Sequence, residues 1–229
     1  MSLMNNPFEG IRAVLFDMDG TLVETDIDFP LMKREMLVLG ERQGIPASEL
    51  QGLDILAVVN AIVDRLEAQG RADEAVRVRE EAFRTLERIE LAHSDAAYVI
   101  PRAIELLGAI RRAGIKIGIV TRNCRSAVQV SLDRTGVFYD VLLTRDDVRN
   151  TKPHPEHLLL ALEALGVDPD EALMIGDHWM DVQGGRAAGT RTIGFLRPDR
   201  PEGFFDVCPP DLIIRGLGEL LPCVERLIE

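Results

Sequence analysis

From Ile100 to its end the chain alternates short apolar runs with amphipathic segments, and this alternation constrains the fold more than any single motif. Pro101 opens a helix over 101–113 that Gly114 ends. Strands are predicted at 115–121, 141–144, 172–176, 192–195 and 212–214, with helices at 126–135, 155–165 and 180–188 and a closing helix at 218–228. Strand and helix in regular alternation specify a parallel sheet with helices on both faces.

An earlier apolar run, Val14-Leu15-Phe16, reads as a strand buried on both faces. Alone it cannot bury itself, so it joins the same sheet. Between it and Ile100 lie helical patterns at 28–42, 53–69 and 73–91, and no strand is predicted over 24–97. The expected fold class is therefore α/β, a doubly wound parallel sheet with an inserted all-α cap. Its core is 1–23 with 98–229, and its cap is 24–97.

In such sheets ligands bind beyond the carboxyl ends of the strands, so the residues following each strand are the candidate site. The first strand runs into Asp17-Met18-Asp19-Gly20-Thr21. Carboxylates at the end of a buried strand call for a positive partner: a cation, a phosphate with its counter-ion, or both. A plain turn competes with that reading. A calcium loop fits poorly, because it needs Gly sixth and Glu twelfth, whereas Gly20 is fourth and Asp28 twelfth. The second strand is followed by Thr121-Arg122-Asn123, the third by a loop carrying Lys152, and the fourth by Asp177 and Asp181. Of 26 Lys plus Arg, only Lys33, Lys116 and Lys152 are Lys, so a compact ammonium at 152 stands out against a preference for Arg.

A net charge of -12 argues against nucleic acid as a partner, since phosphate backbones are held by clustered Lys and Arg. No apolar run is long enough to span a bilayer, and Met1 to Gly10 lack a basic segment followed by an apolar one, so no signal peptide is expected. Cys124, Cys208 and Cys223 are odd in number and far apart, which describes neither a disulfide framework nor a zinc site; a reducing cytoplasm is the expectation.

The motifs Asp17-Met18-Asp19-Gly20-Thr21, Thr121, Lys152-Pro153 and Gly176-Asp177-His178-Trp179-Met180-Asp181 together resemble the haloacid dehalogenase superfamily. Within it they are similar to phosphoglycolate-phosphatase-like enzymes with a helical cap inserted after the first strand. The resemblance implies a magnesium-dependent phosphatase of small phosphorylated metabolites. In it Asp17 is the nucleophile, and Asp19 is a general acid/base that must carry a proton at working pH. Thr121 and Lys152 contact the phosphoryl group, with Arg122 and Asn123 beside them. Magnesium is held by Asp17, Asp177 and the backbone of Asp19, with Asp181 in support.

Arg122 stands where many relatives carry Asn or Ser. A sugar phosphomutase of the same superfamily is the alternative. A phosphonate hydrolase would need a cap lysine, for which Lys33 alone qualifies. A dehalogenase would lack Asp19, and a non-catalytic phosphoester-binding module would have lost one of the motif residues. Lys33, Arg34 and Arg42 are the cap cations able to read a substrate anion. His178 is read as structural, His93 as a surface residue, and His154 and His157 as solvated.

Overall fold

Residues 6–228 are described by the computed structural model; the first residues, on which the signal-peptide expectation partly rests, lie outside them. In chain order, β1 (Ala13–Phe16) is followed by a short β2 (Val23–Glu24) and four helices: α1 (Phe29–Arg42), α2 (Ala47–Leu50), α3 (Ile55–Ala68) and α4 (Ala72–Ser94). After β3 (Tyr98–Val99) the alternation begins. It comprises α5 (Ala103–Arg112), β4 (Lys116–Val120), α6 (Arg125–Thr135), β5 (Val141–Leu143), α7 (Glu156–Leu165), β6 (Ala172–Gly176), α8 (Trp179–Ala188), β7 (Arg191–Phe195), β8 (Leu212–Ile214) and α9 (Leu221–Glu225).

The described chain forms two compact units, one running up to Thr25 and again from Ala96, the other Asp26–Asp95. The first is built on a six-stranded sheet of order β5-β4-β1-β6-β7-β8 with every pairing parallel. Successive β1 residues point to opposite faces. Val14 and Phe16 pack with Leu106, Leu107, Val128 and Val224 of α5, α6 and α9, whereas Ala13 and Leu15 pack with Leu158, Leu162 and Ala188 of α7 and α8. From β1 the chain builds outward through β4 and β5, then returns to β1's other side for β6, β7 and β8. That reversal is the switch point where doubly wound sheets open a crevice at their carboxyl edge.

The second unit is all helix and has its own apolar core, with Met32, Met36 and Leu39 of α1 against Val59, Ile62 and Leu66 of α3 and Val78, Leu86 and Ile89 of α4. Aspartates start two of its helices: Asp28 accepts from the Leu31 N–H (2.7 Å), and Asp54 from those of Leu56 and Ala57, the usual N-cap stabilisation. No helix among the described residues is long and apolar enough to cross a membrane.

Four local features differ from the sequence reading. A helix forms at α2 where none was expected, and α5 starts at Ala103, behind Arg102 in the left-handed region (φ 69°), and not at Pro101. Glu24 belongs to an antiparallel pairing of β2 with β3, and two-residue strands are too short to show a period. The closing helix is shorter than 218–228: a 3₁₀ turn at Leu217–Leu220 precedes α9, whose first turn contains Pro222. Proline has no N–H with which to continue an α-helix from upstream.

Candidate active site

β1 and β6 lie side by side with Phe16 opposite Ile175, so the residues just beyond them, Asp17 and Asp177, emerge together at the carboxyl edge. Asp181 joins them from the first turn of α8, where its Oδ2 accepts from the His178 N–H at 3.0 Å. One oxygen from each of Asp17, Asp177 and Asp181 falls within 4.8 Å of the others. Lys152 reaches in from the loop before α7, its Nζ 2.7 Å from Asp17 Oδ1 and 2.7 Å from Asp181 Oδ1. Only 1 % of its side chain is exposed. The backbone is tight here. An added Cβ at Gly20 (φ +82°) would stand 2.4 Å from Asp177 Oδ2, and one at Gly176 would stand 2.2 Å from Asp181 Oδ2.

Asp19 faces a different set of partners. Its Oδ1 accepts from the Thr25 hydroxyl (2.8 Å), and its Oδ2 from the Thr121 hydroxyl (3.3 Å) and the Asn123 amide (3.2 Å). Asn123 is itself fixed, its Oδ1 accepting from the Cys124 N–H at 2.7 Å. Asp17 is thus held by an ammonium and Asp19 by neutral donors, although one residue separates them.

Three carboxylates lie together, and the Lys152 ammonium pairs with two of them, Asp17 and Asp181. Burial pushes the Asp17 carboxyl up to about 7; Lys152 opposes this, while Asp181 and Asp19 add to it. Asp177 is raised well above the usual carboxylate range by burial, then by Asp17 and Asp181, against the pull of Arg197 and Arg200. Burial alone would lower Lys152, but Asp17 and Asp181 more than offset it and hold the ammonium above its ordinary value. Excess negative charge on oxygen donors, kept largely from water, is what a hard divalent cation such as magnesium requires. The residues fit such an ion.

A pH dependence follows for the metal-free protein. Native Asp17 keeps a proton that the unfolded chain has lost above about pH 4, so it raises stability as pH falls from 8 through 7, and Asp177, shifted in the same direction, acts with the same sign. His157, lowered to about 3, and His178, lowered to about 4, are both held down chiefly by burial. They act oppositely below about pH 6.5, where the unfolded chain takes up protons and the native state does not. In EDTA, stability should rise as pH falls from 8 through 7 and level off towards pH 6.5. Urea midpoints measured across that range test this, and a midpoint that falls towards pH 6.5 contradicts it.

Comparison with known proteins places the chain. Residues 11–189 match the family model of the haloacid dehalogenase-like hydrolases. The chain belongs to that family. Among its relatives, the phosphoglycolate phosphatase of Escherichia coli (strain K12) is 31% identical over 96% of this chain and 94% of its own length. The pyrophosphatase PpaX of Bacillus cereus (strain B4264) is 30% identical over 95% and 98%. A crystal structure of a putative haloacid dehalogenase-like hydrolase from Bacteroides fragilis superposes with a TM-score of 0.63 at 26% identity, covering 92% of this chain and 99% of that one. This chain is a hydrolase of the family's phosphatase type.

Among the other residues singled out in the sequence, His157 departs from expectation. His157 is not solvated: it is fully buried, and its Nδ1 accepts from the Lys152 backbone N–H at 3.4 Å. The first turn of α7 carries it beneath the lysine loop, and a lone His in a helix start gives no sequence sign of that. His154 is exposed, as expected. His178 caps α8, accepting from the Met180 N–H at 3.2 Å, with its ring against Trp179 and Phe204. Arg122 turns Nη1 towards Met180 Sδ (2.7 Å), and its carbonyl accepts from the buried Arg145. Lys33 donates to the Leu50 and Leu53 carbonyls, and Arg42 pairs with Glu81 (3.0 Å), so both are engaged inside the helical unit.

Two residues near the carboxylates were missed, Thr25 and Arg197. Arg197 lies just beyond β7, and extending the strand-end search by one strand finds it. Thr25 follows β2, whose two residues leave no signal.

Proposed function

We propose that this hydrolase is a magnesium-dependent phosphatase of small phosphorylated metabolites that works through a covalent phosphate on Asp17. The observation that carries the reading is the meeting of Asp17, Asp177, Asp181 and Lys152 at one sheet edge, with Asp19 beside them on a separate set of hydrogen bonds. Relatives named as phosphoglycolate phosphatase and pyrophosphatase support the substrate class.

Phosphate monoesters resist water so strongly that enzymes must supply accelerations approaching about 10²¹-fold, and a carboxylate nucleophile divides the task. A carboxylate oxygen of Asp17 attacks phosphorus as the ester oxygen leaves with a proton from Asp19. Asp19 then takes a proton from water, whose oxygen attacks phosphorus, releasing inorganic phosphate and regenerating the Asp17 carboxylate. Hydroxyls both donate and accept, so Thr25 and Thr121 keep Asp19 oriented in either protonation state. Asp17, Asp177 and the Asp19 carbonyl would hold magnesium, with Asp181 alongside. When bound, the ion offsets the negative charge that would otherwise keep a carboxylate from a phosphoryl group. Lys152 fixes the direction of Asp17 and adds positive charge at the phosphoryl group, and Asn123 keeps Asp19 in place. Residues 24–97 take the cap role on this reading, with 1–23 and 98–229 as the catalytic core.

A panel of phosphorylated metabolites that includes phosphoglycolate and pyrophosphate tests the proposal. Phosphate release should require magnesium, stop in EDTA and return when magnesium is restored. Undiminished turnover in EDTA refutes the metal role, and no release from any compound refutes the catalytic one.

A further inference from the structure

Arg197 is placed by the strand before it. Leu196 extends β7 by one residue, its N–H donating to the Ile214 carbonyl at 2.8 Å, and is buried. Arg197 is the first residue past that pairing, so its side chain lies over the carboxyl edge beside β6. All three guanidinium nitrogens are engaged. Nη1 donates to the Gly20 carbonyl (2.9 Å), Nη2 to Glu24 Oε2 (2.5 Å), and Nε stands 4.0 Å from Asp177 Oδ2 and 3.5 Å from Asp199 Oδ1.

The Gly20 contact matters because Gly20 is the wall against which Asp177 rests, with no room even for a Cβ between them. Glu24 lies in β2, where the chain leaves the sheet unit for the helices. Arg197 thus fixes the turn behind Asp177 and the strand that follows it. Only a planar fork reaches these partners at once; a lysine in its place offers one point.

Two effects on cation binding oppose each other. A positive charge near Asp177 repels a metal ion. A rigid support holds the carboxylate where the ion needs it, and loss of such support typically weakens metal binding about 10–100-fold.

We propose that Arg197 is a positioning residue for the metal carboxylate Asp177, acting by clamping the Gly20 turn and Glu24. The inference rests on the magnesium reading above. Titration calorimetry with magnesium chloride alone, without substrate, compares the intact protein with Arg197→Gln and Arg197→Lys, with melting temperatures in EDTA recorded alongside. Both variants should bind magnesium at least about tenfold more weakly. In turnover they should need more magnesium for half-maximal rate, with KM unchanged at saturating magnesium.

Tighter binding by Arg197→Gln would mean that Arg197 acts only through its charge, and overturns the proposal. So does binding by Arg197→Lys within twofold of the parent, or a raised KM with unaltered magnesium affinity. Should Arg197→Gln fail to fold, Arg197→Lys decides. Should both fail, Glu24→Ala, which removes the acceptor of one arm, must weaken magnesium binding for the proposal to stand. A parent protein that binds no magnesium defeats the metal reading and this inference together, whereas equal binding by parent and variants defeats only this one.

Discussion

Asp17→Asn should lower turnover by about 10⁴-fold or more, the scale on which removal of an enzyme's nucleophile is felt, without destabilising the metal-free protein at pH 8. Asn keeps the shape of the side chain and an oxygen for Lys152, which donates to Asp17 at 2.7 Å. What it lacks is a carboxylate able to form the acyl phosphate. The stability half of the expectation comes from the cluster itself. Asp17 is buried beside Asp177 and Asp181 and is pushed up to about 7, so its ionised form is held at a cost at pH 8. A neutral amide removes that cost. Steady-state rates and urea midpoints in EDTA, on the same preparation, separate the two effects. Turnover within tenfold of the parent means Asp17 is not the nucleophile, and a large fall in both means the variant reports on folding.

The strands that build the core were legible because each is apolar and bounded by turn residues. Those at 172–176 and 212–214 coincide with β6 and β8. Strand ends then led to Asp17, Asp19, Thr121, Lys152, Asp177 and Asp181, because a carboxyl-edge site is written into the order of a doubly wound sheet. Legibility stopped where a side chain's setting depends on a neighbour distant in sequence. His157 shows this. Its burial follows from packing of α7 under the lysine loop, which no local pattern encodes. The bond from the Asn123 amide to Asp19 is similar, since it crosses the sheet edge to a partner distant in sequence. Thr25 and Arg197 are set respectively by a two-residue pairing and by the last parallel strands, and the first carries no period to read.

Lys152→Met is expected to have the second large effect, on stability as well as rate. Methionine retains an unbranched stem of similar bulk, so the lost group is the ammonium, which is the ion-pair partner of both Asp17 and Asp181. Removing one partner of a buried ion pair costs about 3–5 kcal/mol, because the remaining charge stays out of water uncompensated. Here two carboxylates are left behind, in a cluster where burial, and then its neighbours Asp17 and Asp181, already raise Asp177. The cost should therefore be greatest in EDTA at pH 8 and should shrink near pH 5.5, where protonation replaces the missing cation. Magnesium should reduce it too, if the carboxylates hold that ion, since a bound dication supplies the charge that was lost. Urea midpoints of parent and variant at both pH values, with and without magnesium, measure each part. A destabilisation that ignores both pH and magnesium would assign Lys152 a packing role through its stem, which lies near the Gly184 backbone. A destabilisation that vanishes under either condition assigns it to charge. In that case the single buried ammonium and the metal neutralise the same carboxylates, and the catalytic loss of the variant should persist in saturating magnesium even where its stability has been restored.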